Sequence, residues 1–241
     1  MIENEFFRFE TGQATDTGRV RDHNEDSHLA RSDFGMWLVA DGMGGHDAGD
    51  FASQTIKAEA ASVGMSSSLQ DLQARFMERL TRAHSLIQQH AASLGGGTVG
   101  ATLVTLLVHE DQYACLWSGD SRIYLLRDGA LVQQTRDHTE VQHLLDSGAI
   151  SESEALTWPR KNVITRAIGV SAVPECDVVT GHLQPGDTFL LCSDGLTEHL
   201  SDDDITDFLS VGDDEEVQVV CNAFIGETLE RGAKDLSLIH I

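Results

Sequence analysis

Asp41 and Asp194 each close an apolar run, and each is followed at once by glycine, in Trp37-Leu-Val-Ala-Asp41-Gly42 and Phe189-Leu-Leu-Cys-Ser-Asp194-Gly195. A buried strand that stops on a carboxylate, with a turn after it, sets a hard anionic oxygen at the rim of a sheet. Two such ends side by side would suit divalent cations that prefer oxygen ligands. A third acidic end, Ala233-Lys-Asp235, precedes the closing run Leu236-Ser-Leu-Ile-His-Ile241, and a fourth, Asn24-Glu25-Asp26, lies near the start. Arg21 stands five residues before Asp26. It reads either as a solvated surface arginine or as the forked guanidinium of a phosphate pocket.

Other chemistries fit less well. The turn Asp41-Gly42-Met43-Gly44-Gly45-His46 lacks the third glycine of a dinucleotide loop, because Asp47 occupies that position and would repel a pyrophosphate. No Gly-Lys-Ser/Thr follows for a phosphate-binding P-loop. Met43 and Gly45 stand where a calcium loop needs oxygen ligands. The eleven histidines form no paired zinc spacing. Ser118-Gly-Asp120-Ser-Arg122, taken alone, reads as a hairpin turn between two strands.

The elements that must hold these residues come from periodicity. Short strands are expected at Gln13–Arg19 and His28–Arg31, with a buried strand at Trp37–Ala40 and a helix over Ala48–Val63. Leu69, Leu72, Phe76, Leu80, Ala83 and Ile87 recur at helical spacing until the glycines at 95–97. Strand-like runs follow at Ala101–Val108, Tyr113–Trp117, Arg122–Leu126 and Leu131–Gln133, with hairpin signals at 109–112 and at Asp128-Gly129. Residues 138–170 are less regular, with a helical piece at Val141–Leu145, and suggest a functional flap. Strands resume at Glu175–Gly181 and Thr188–Ser193, and one amphipathic helix runs from Val217 to Leu229 before the last strand. Consecutive strands without intervening helices argue for antiparallel sheets covered by outer helices.

Composition narrows the partners. Acidic residues outnumber basic ones 39 to 16 over 241 residues, a formal charge of −23. Such a surface repels nucleic-acid phosphates and anionic lipid heads, so neither is expected as a partner. Cys115, Cys176, Cys192 and Cys221 lie among apolar neighbours with no CxxC spacing, which fits a reducing compartment. Neither a signal peptide nor a membrane-spanning run is read, so a cytoplasmic location is expected. The chain is read as a single domain over residues 1–241.

Seven segments occur in order: Arg21-Asp-His-Asn-Glu25-Asp26-Ser, Val39-Ala-Asp41-Gly-Met-Gly-Gly-His46, Val99-Gly-Ala-Thr102-Leu-Val, Ser118-Gly-Asp120-Ser-Arg, Thr135-Arg-Asp137-His-Thr, Ile164-Thr-Arg-Ala-Ile-Gly169 and Cys192-Ser-Asp194-Gly-Leu196. Together they resemble the metal-dependent serine/threonine protein phosphatases of type 2C in their compact bacterial form, from about residue 10 onward. The resemblance implies an α+β, four-layer αββα sandwich, with two antiparallel sheets flanked by antiparallel helix pairs and a metal pair at one edge. By motif position it implies that Asp41 bridges two Mn2+ or Mg2+ ions. The Gly42 carbonyl would join one ion, and Asp194 and Asp235 would bind the other. Glu25 and Asp26 would act through metal-bound water, and Thr102 would support the shell. Asp120, sharing Asp194, would contribute to a third, weaker site. Arg21 would grip the substrate phosphate.

The implied reaction is hydrolysis of phosphoserine and phosphothreonine on proteins by direct attack of a metal-bridging water or hydroxide, without a phosphoenzyme. The implied partners are phosphorylated proteins, either a bacterial serine/threonine kinase or its targets, met by a monomer. Two positions depart from the family pattern: Leu236 follows Asp235 directly where asparagine is usual, and Met43 stands where some relatives have histidine. His46 is a candidate proton donor to the leaving group or a cap for the next helix, with metal-bound water the favoured donor. Two other readings of the same fold are a non-catalytic phosphoprotein-binding module and a metal-binding regulatory domain. The intact Asp41, Asp194, Asp120 and Arg21 favour the enzyme.

Overall fold

The computed structural model describes residues 2–3, 7–18, 23–44, 48–211, 216–232 and 236–241. The first strands are β1 (Ile2–Glu3), β2 (Arg8–Phe9), β3 (Gly12–Asp16), β4 (Asp26–Arg31) and β5 (Met36–Met43). Two helices follow, α1 (Ala48–Ala61) and α2 (Leu69–Ser93). Next come β6 (Gly100–Ala101), β7 (Leu103–His109), β8 (Gln112–Ser118), β9 (Arg122–Arg127) and β10 (Ala130–Gln133). The segment read as a flap carries α3 (Glu140–Asp146) and α4 (Glu152–Ala155). The chain closes with β11 (Asp177–His182), β12 (Thr188–Cys192), α5 (Asp194–Thr197), α6 (Asp202–Val211), α7 (Val217–Glu230) and β13 (Leu236–His240).

Two antiparallel sheets form the centre. One runs β10-β9-β12-β13-β3, and the other runs β11-β8-β7-β5-β4 with β6 paired to β5. Strand alternation distributes the core into three layers. Met36, Leu38 and Ala40 of β5 face α1 and α2, while Trp37 and Val39 face the other sheet and meet Phe189 and Ile239. On β13, Leu236 and Leu238 turn outward to Phe224 of α7 and Leu209 of α6. This order of helices, sheet, sheet and helices is the expected four-layer sandwich. The apolar stripe of α2 begins at the N-cap Ser68, whose side chain accepts from the Asp71 amide, and buries Leu72, Phe76, Leu80 and Ile87. Each such side chain contributes about 2 kcal/mol of gross burial.

Three expectations need correction. The strand that carries Asp41 does not stop there with a turn, because β5 runs on through Gly42 and Met43, which pair with β6. Ser118-Gly-Asp120-Ser-Arg122 is not a hairpin turn, because β8 and β9 belong to different sheets. The segment carries the chain across the sandwich, which places Asp120 at the edge shared by both sheets. The C-terminal region also holds α5 and α6 besides the one helix expected. Asp202, Asp203 and Asp204 occupy the first turn of α6, where a helix N-terminus favours negative charge. The Ser201 hydroxyl accepts from the Asp204 amide while the Asp204 carboxylate accepts from the Ser201 amide.

His240 closes β13 and is 3 % exposed. Burial lowers its pKa from 6.5 to about 4. The native ring therefore refuses a proton that the unfolded chain accepts below pH 6.5, so stability falls as pH drops from about 6.5 towards 4. The expected loss from this group is roughly 3 kcal/mol at full effect. Urea unfolding of the wild type and of His240→Leu at pH 7 and pH 4.5 checks it. The variant should lose clearly less stability on acidification, and an equal loss in both proteins would show that His240 is not a source of the pH dependence.

Candidate metal centre

Three of the acidic ends, at Asp26, Asp41 and Asp194, lie where the two sheets meet. Asp26 at the start of β4 and Asp41 near the end of β5 are direct cross-strand partners. Two carboxylates opposite each other on an antiparallel pair are unfavourable unless something cationic lies between or beside them. The Asp26 side chain is buried and accepts a 2.8 Å hydrogen bond from the Ser193 hydroxyl. Ser193 in turn joins the closing strand: its amide donates to the Ser237 carbonyl at 3.1 Å, and its side chain accepts from the Ser237 amide at 3.0 Å. One serine thus binds the end of β12, the start of β13 and the carboxylate of β4. Asp194 is the next residue and opens α5.

The backbone of Asp41 is clamped by Thr102. The Thr102 amide donates to the Asp41 carbonyl at 2.8 Å, and the Asp41 amide donates to Thr102 Oγ1 at 3.3 Å. Thr102 Oγ1 also bonds Ser121 Oγ at 2.7 Å, linking β5 to the segment that carries Asp120. The Gly42 amide donates to the Glu25 carbonyl at 3.1 Å. An ideal Cβ on Gly42 would lie 2.2 Å from the Gly49 carbonyl oxygen and 2.6 Å from the Glu25 carbonyl oxygen, so only glycine fits. The Glu25 carboxylate reaches α1, where a Cβ on Gly49 would stand 2.5 Å from Oε1.

Asp120 feels its neighbours strongly. Burial first, then the Asp194 and Asp137 carboxylates, push its pKa up to about 8. Asp137 is held in a two-pronged ion pair by Arg122, with Nε at 3.0 Å and a terminal nitrogen at 2.8 Å. Beside these acids lies a cleft of about 240 Å³ whose lining includes Asp120, Asp194, Thr139, Leu156, Lys161 and Asn162. Four of these, Thr139, Leu156, Lys161 and Asn162, come from the segment at 138–170, and Asn162 also bonds Glu198 just after α5. A larger, mostly apolar cavity of about 450 Å³ near Phe9, Leu183 and Phe189 lies away from these acids.

Of the predicted residues, Glu25, Asp26, Asp41, Gly42, Thr102, Asp120 and Asp194 lie along this shared edge. Arg21, His46 and Asp235 lie outside the described residues. Among the described residues, no three carboxylate, imidazole or thiol groups stand close enough together to hold a metal ion by themselves. The donor chemistry nevertheless fits Mn2+ or Mg2+: it consists of hard oxygens, crowded carboxylates and the backbone of Gly42. Sequence reasoning missed Ser193, Ser237 and Gly49. The available signal for Ser237 was a lone hydroxyl within an otherwise apolar closing run.

Residues 17–219 match the family profile described as protein phosphatase 2C. The serine/threonine phosphatase stp of Listeria welshimeri is 36 % identical over 205 residues, 81 % of each chain. PppA, described as a key regulatory component of T6SS in Pseudomonas aeruginosa, superimposes with a TM-score of 0.86 at 37 % identity, covering 96 % of both chains. The catalytic domain of the serine/threonine protein phosphatase PstP, solved with 2 manganese ions, superimposes at 0.84 with 33 % identity over 96 % of both chains. The edge-to-edge acidic architecture, the profile match and these relatives lead to one conclusion: the chain belongs to the type 2C protein phosphatases and is a divalent-metal-dependent serine/threonine phosphoprotein phosphatase of the bacterial kind.

Proposed function

We propose that the chain is one catalytic unit whose acidic edge holds two Mn2+ or Mg2+ ions. Asp41 would serve both ions, the Gly42 carbonyl one of them, and Asp194 and Asp235 the other. Asp120 and Asp194 would hold a third, weaker ion. The observation that carries this reading is the Asp26–Asp41 opposition, joined by Ser193 to the strand end beside Asp194. Bound cations would offset the charge of a phosphomonoester and lower the pKa of a coordinated water. The chain itself supplies the rest. Thr102 fixes the Asp41 backbone. Glu25 and Asp26 orient water around the ions, and Ser193 holds the Asp26 carboxylate in one rotamer. Arg21 grips and orients the substrate phosphate. The leaving alkoxide would take its proton from water held at the ions or from His46.

The substrate class is supported by the relatives, and a phosphorylated loop of another protein is proposed to enter the cleft bordered by the 138–170 segment. The enzyme is proposed to act as a cytoplasmic monomer that reverses a bacterial serine/threonine kinase, on the kinase itself or on its targets. No helix among the described residues is long and apolar enough to cross a membrane.

The test is steady-state hydrolysis of a phosphothreonine peptide by the wild type and by Arg21→Ala. The variant should raise KM and lower kcat/KM by about 10- to 100-fold, as expected when a charge-assisted phosphate contact is lost. Unchanged kinetics would remove Arg21 from the site.

A further inference from the structure

Within the segment Thr135-Arg-Asp137-His138-Thr139, His138 has no role in the chemistry above, yet it sits at a junction of three structures. Its side chain is 10 % exposed and its ring lies near-parallel to Trp117, with centroids 6.0 Å apart. Nδ1 accepts a hydrogen bond from the Gly119 amide at 3.2 Å, and the His138 amide donates back to the Gly119 carbonyl at 2.9 Å. The His138 carbonyl accepts from the Thr165 amide at 2.7 Å, at the neck of the 138–170 segment, where Thr139 and Ile164 also form a bridge. Nε2 faces Asp177 Oδ2 at 3.2 Å, and Arg166 pairs with the same carboxylate at 2.7 Å.

These contacts fix the ring's proton. An amide is only a donor, so Nδ1 must present its lone pair to Gly119, and the proton of the neutral ring must sit on Nε2. There it donates to Asp177, whose second oxygen is occupied by Arg166. A proton on Nδ1 would set two N–H groups against each other at 3.2 Å; Arg166 also approaches Nε2, at 3.4 Å, but its closer bond, at 2.7 Å, goes to Asp177. Burial, the largest influence, lowers the pKa of the ring, which agrees with a neutral imidazole.

Gly119 is the residue that needs holding. Its φ is +112°, and a Cβ there would lie 2.6 Å from Thr102 Cβ. It is therefore pressed between Thr102, which clamps Asp41, and His138, immediately before Asp120. We propose that His138 is a positioning residue: its Nδ1 lone pair seats the Gly119 amide, aims Asp120 at the acidic edge, and couples that aim to the neck of the 138–170 segment. The link to metal rests on the reading of Asp120 as a ligand. The link to Gly119 does not.

The experiment separates the two. In metal-free protein, 15N NMR of the His138 ring and hydrogen exchange of the Gly119 amide are measured for the wild type, His138→Asn, His138→Gln and His138→Phe. The Asn amide oxygen falls near the position of Nδ1 and keeps the acceptor, whereas Gln reaches instead towards Asp177 and Phe keeps only the ring stack. Expected are an unprotonated Nδ1 in the wild type and about tenfold faster Gly119 exchange in the Gln and Phe variants, with Asn within about threefold of wild type. A protonated Nδ1, or equal exchange in the Asn and Gln variants, would overturn the proposal. The Mn2+ concentration giving half-maximal turnover is read on the same four proteins. It should rise in Gln and Phe, fall back towards wild type in Asn, and leave KM for the peptide unchanged. If exchange follows the expected order and the Mn2+ requirement does not, the Gly119 seat stands and the metal role of Asp120 is withdrawn.

Discussion

Asp41→Asn is expected to lower turnover of a phosphothreonine peptide by about a thousandfold or more while the protein stays folded, since it removes the charge proposed to serve both ions. Asp41 is directly opposite Asp26, so the same change also relieves a like-charge pair. The metal-free variant should stay within about 1 kcal/mol of the wild type in stability. Metal stoichiometry by calorimetry and thermal unfolding without metal check both halves. A variant that keeps two bound ions and near-normal turnover would displace Asp41 from the centre. One that fails to fold would show that the carboxylate serves the fold instead.

Gly42→Ala should be nearly as damaging for a different reason. The added methyl would meet three backbone atoms, of Gly49 and Glu25, within 2.6 Å. None is the end of a flexible side chain, so β5, the α1 entry or the Glu25 strand end must move. Overpacking of this kind costs about 1–3 kcal/mol. A shift near 1 Å at the site lowers turnover about a hundredfold. Gly49→Ala provides a milder contrast, because its added methyl would press first on the Glu25 carboxylate, at 2.5 Å, and less closely on the Gly42 backbone, at 2.9 Å. Its cost should fall more on metal affinity than on stability. Parallel kinetics, melting temperatures and Mn2+ titrations distinguish the two, and a fully active, equally stable Gly42→Ala would refute the close packing of β5 against α1 and Glu25.

Parts of this centre were legible in the sequence for physical reasons. Asp194 follows an apolar run and the structure ends β12 just before it, so its carboxylate emerges at a sheet rim; Asp41 closes an apolar run too, but pairing with β6 carries β5 on past it, which no local pattern announces. The stripe of α2 repeats at helical spacing and was legible end to end. Other parts depend on contacts between residues distant in sequence. Ser193 and Ser237 are 44 positions apart, and nothing local tells a strand serine that its partner is another strand's amide. Ser118–Arg122 looked like a hairpin because two strand-shaped runs flank it, but whether they pair or part is decided by β12, which takes the place beside β9. Helix α6 was hidden by Asp202–Asp204, which resemble a solvated charge run until the macrodipole is considered.

The most direct measurement is turnover of a phosphothreonine peptide by the purified protein, stripped with chelator and then titrated with Mn2+ or Mg2+. Turnover should vanish on stripping and return with added cation, saturably and without any other cofactor. Hydrolysis that survives complete chelation would contradict a centre built from Asp41, Asp194 and their neighbours to hold divalent ions.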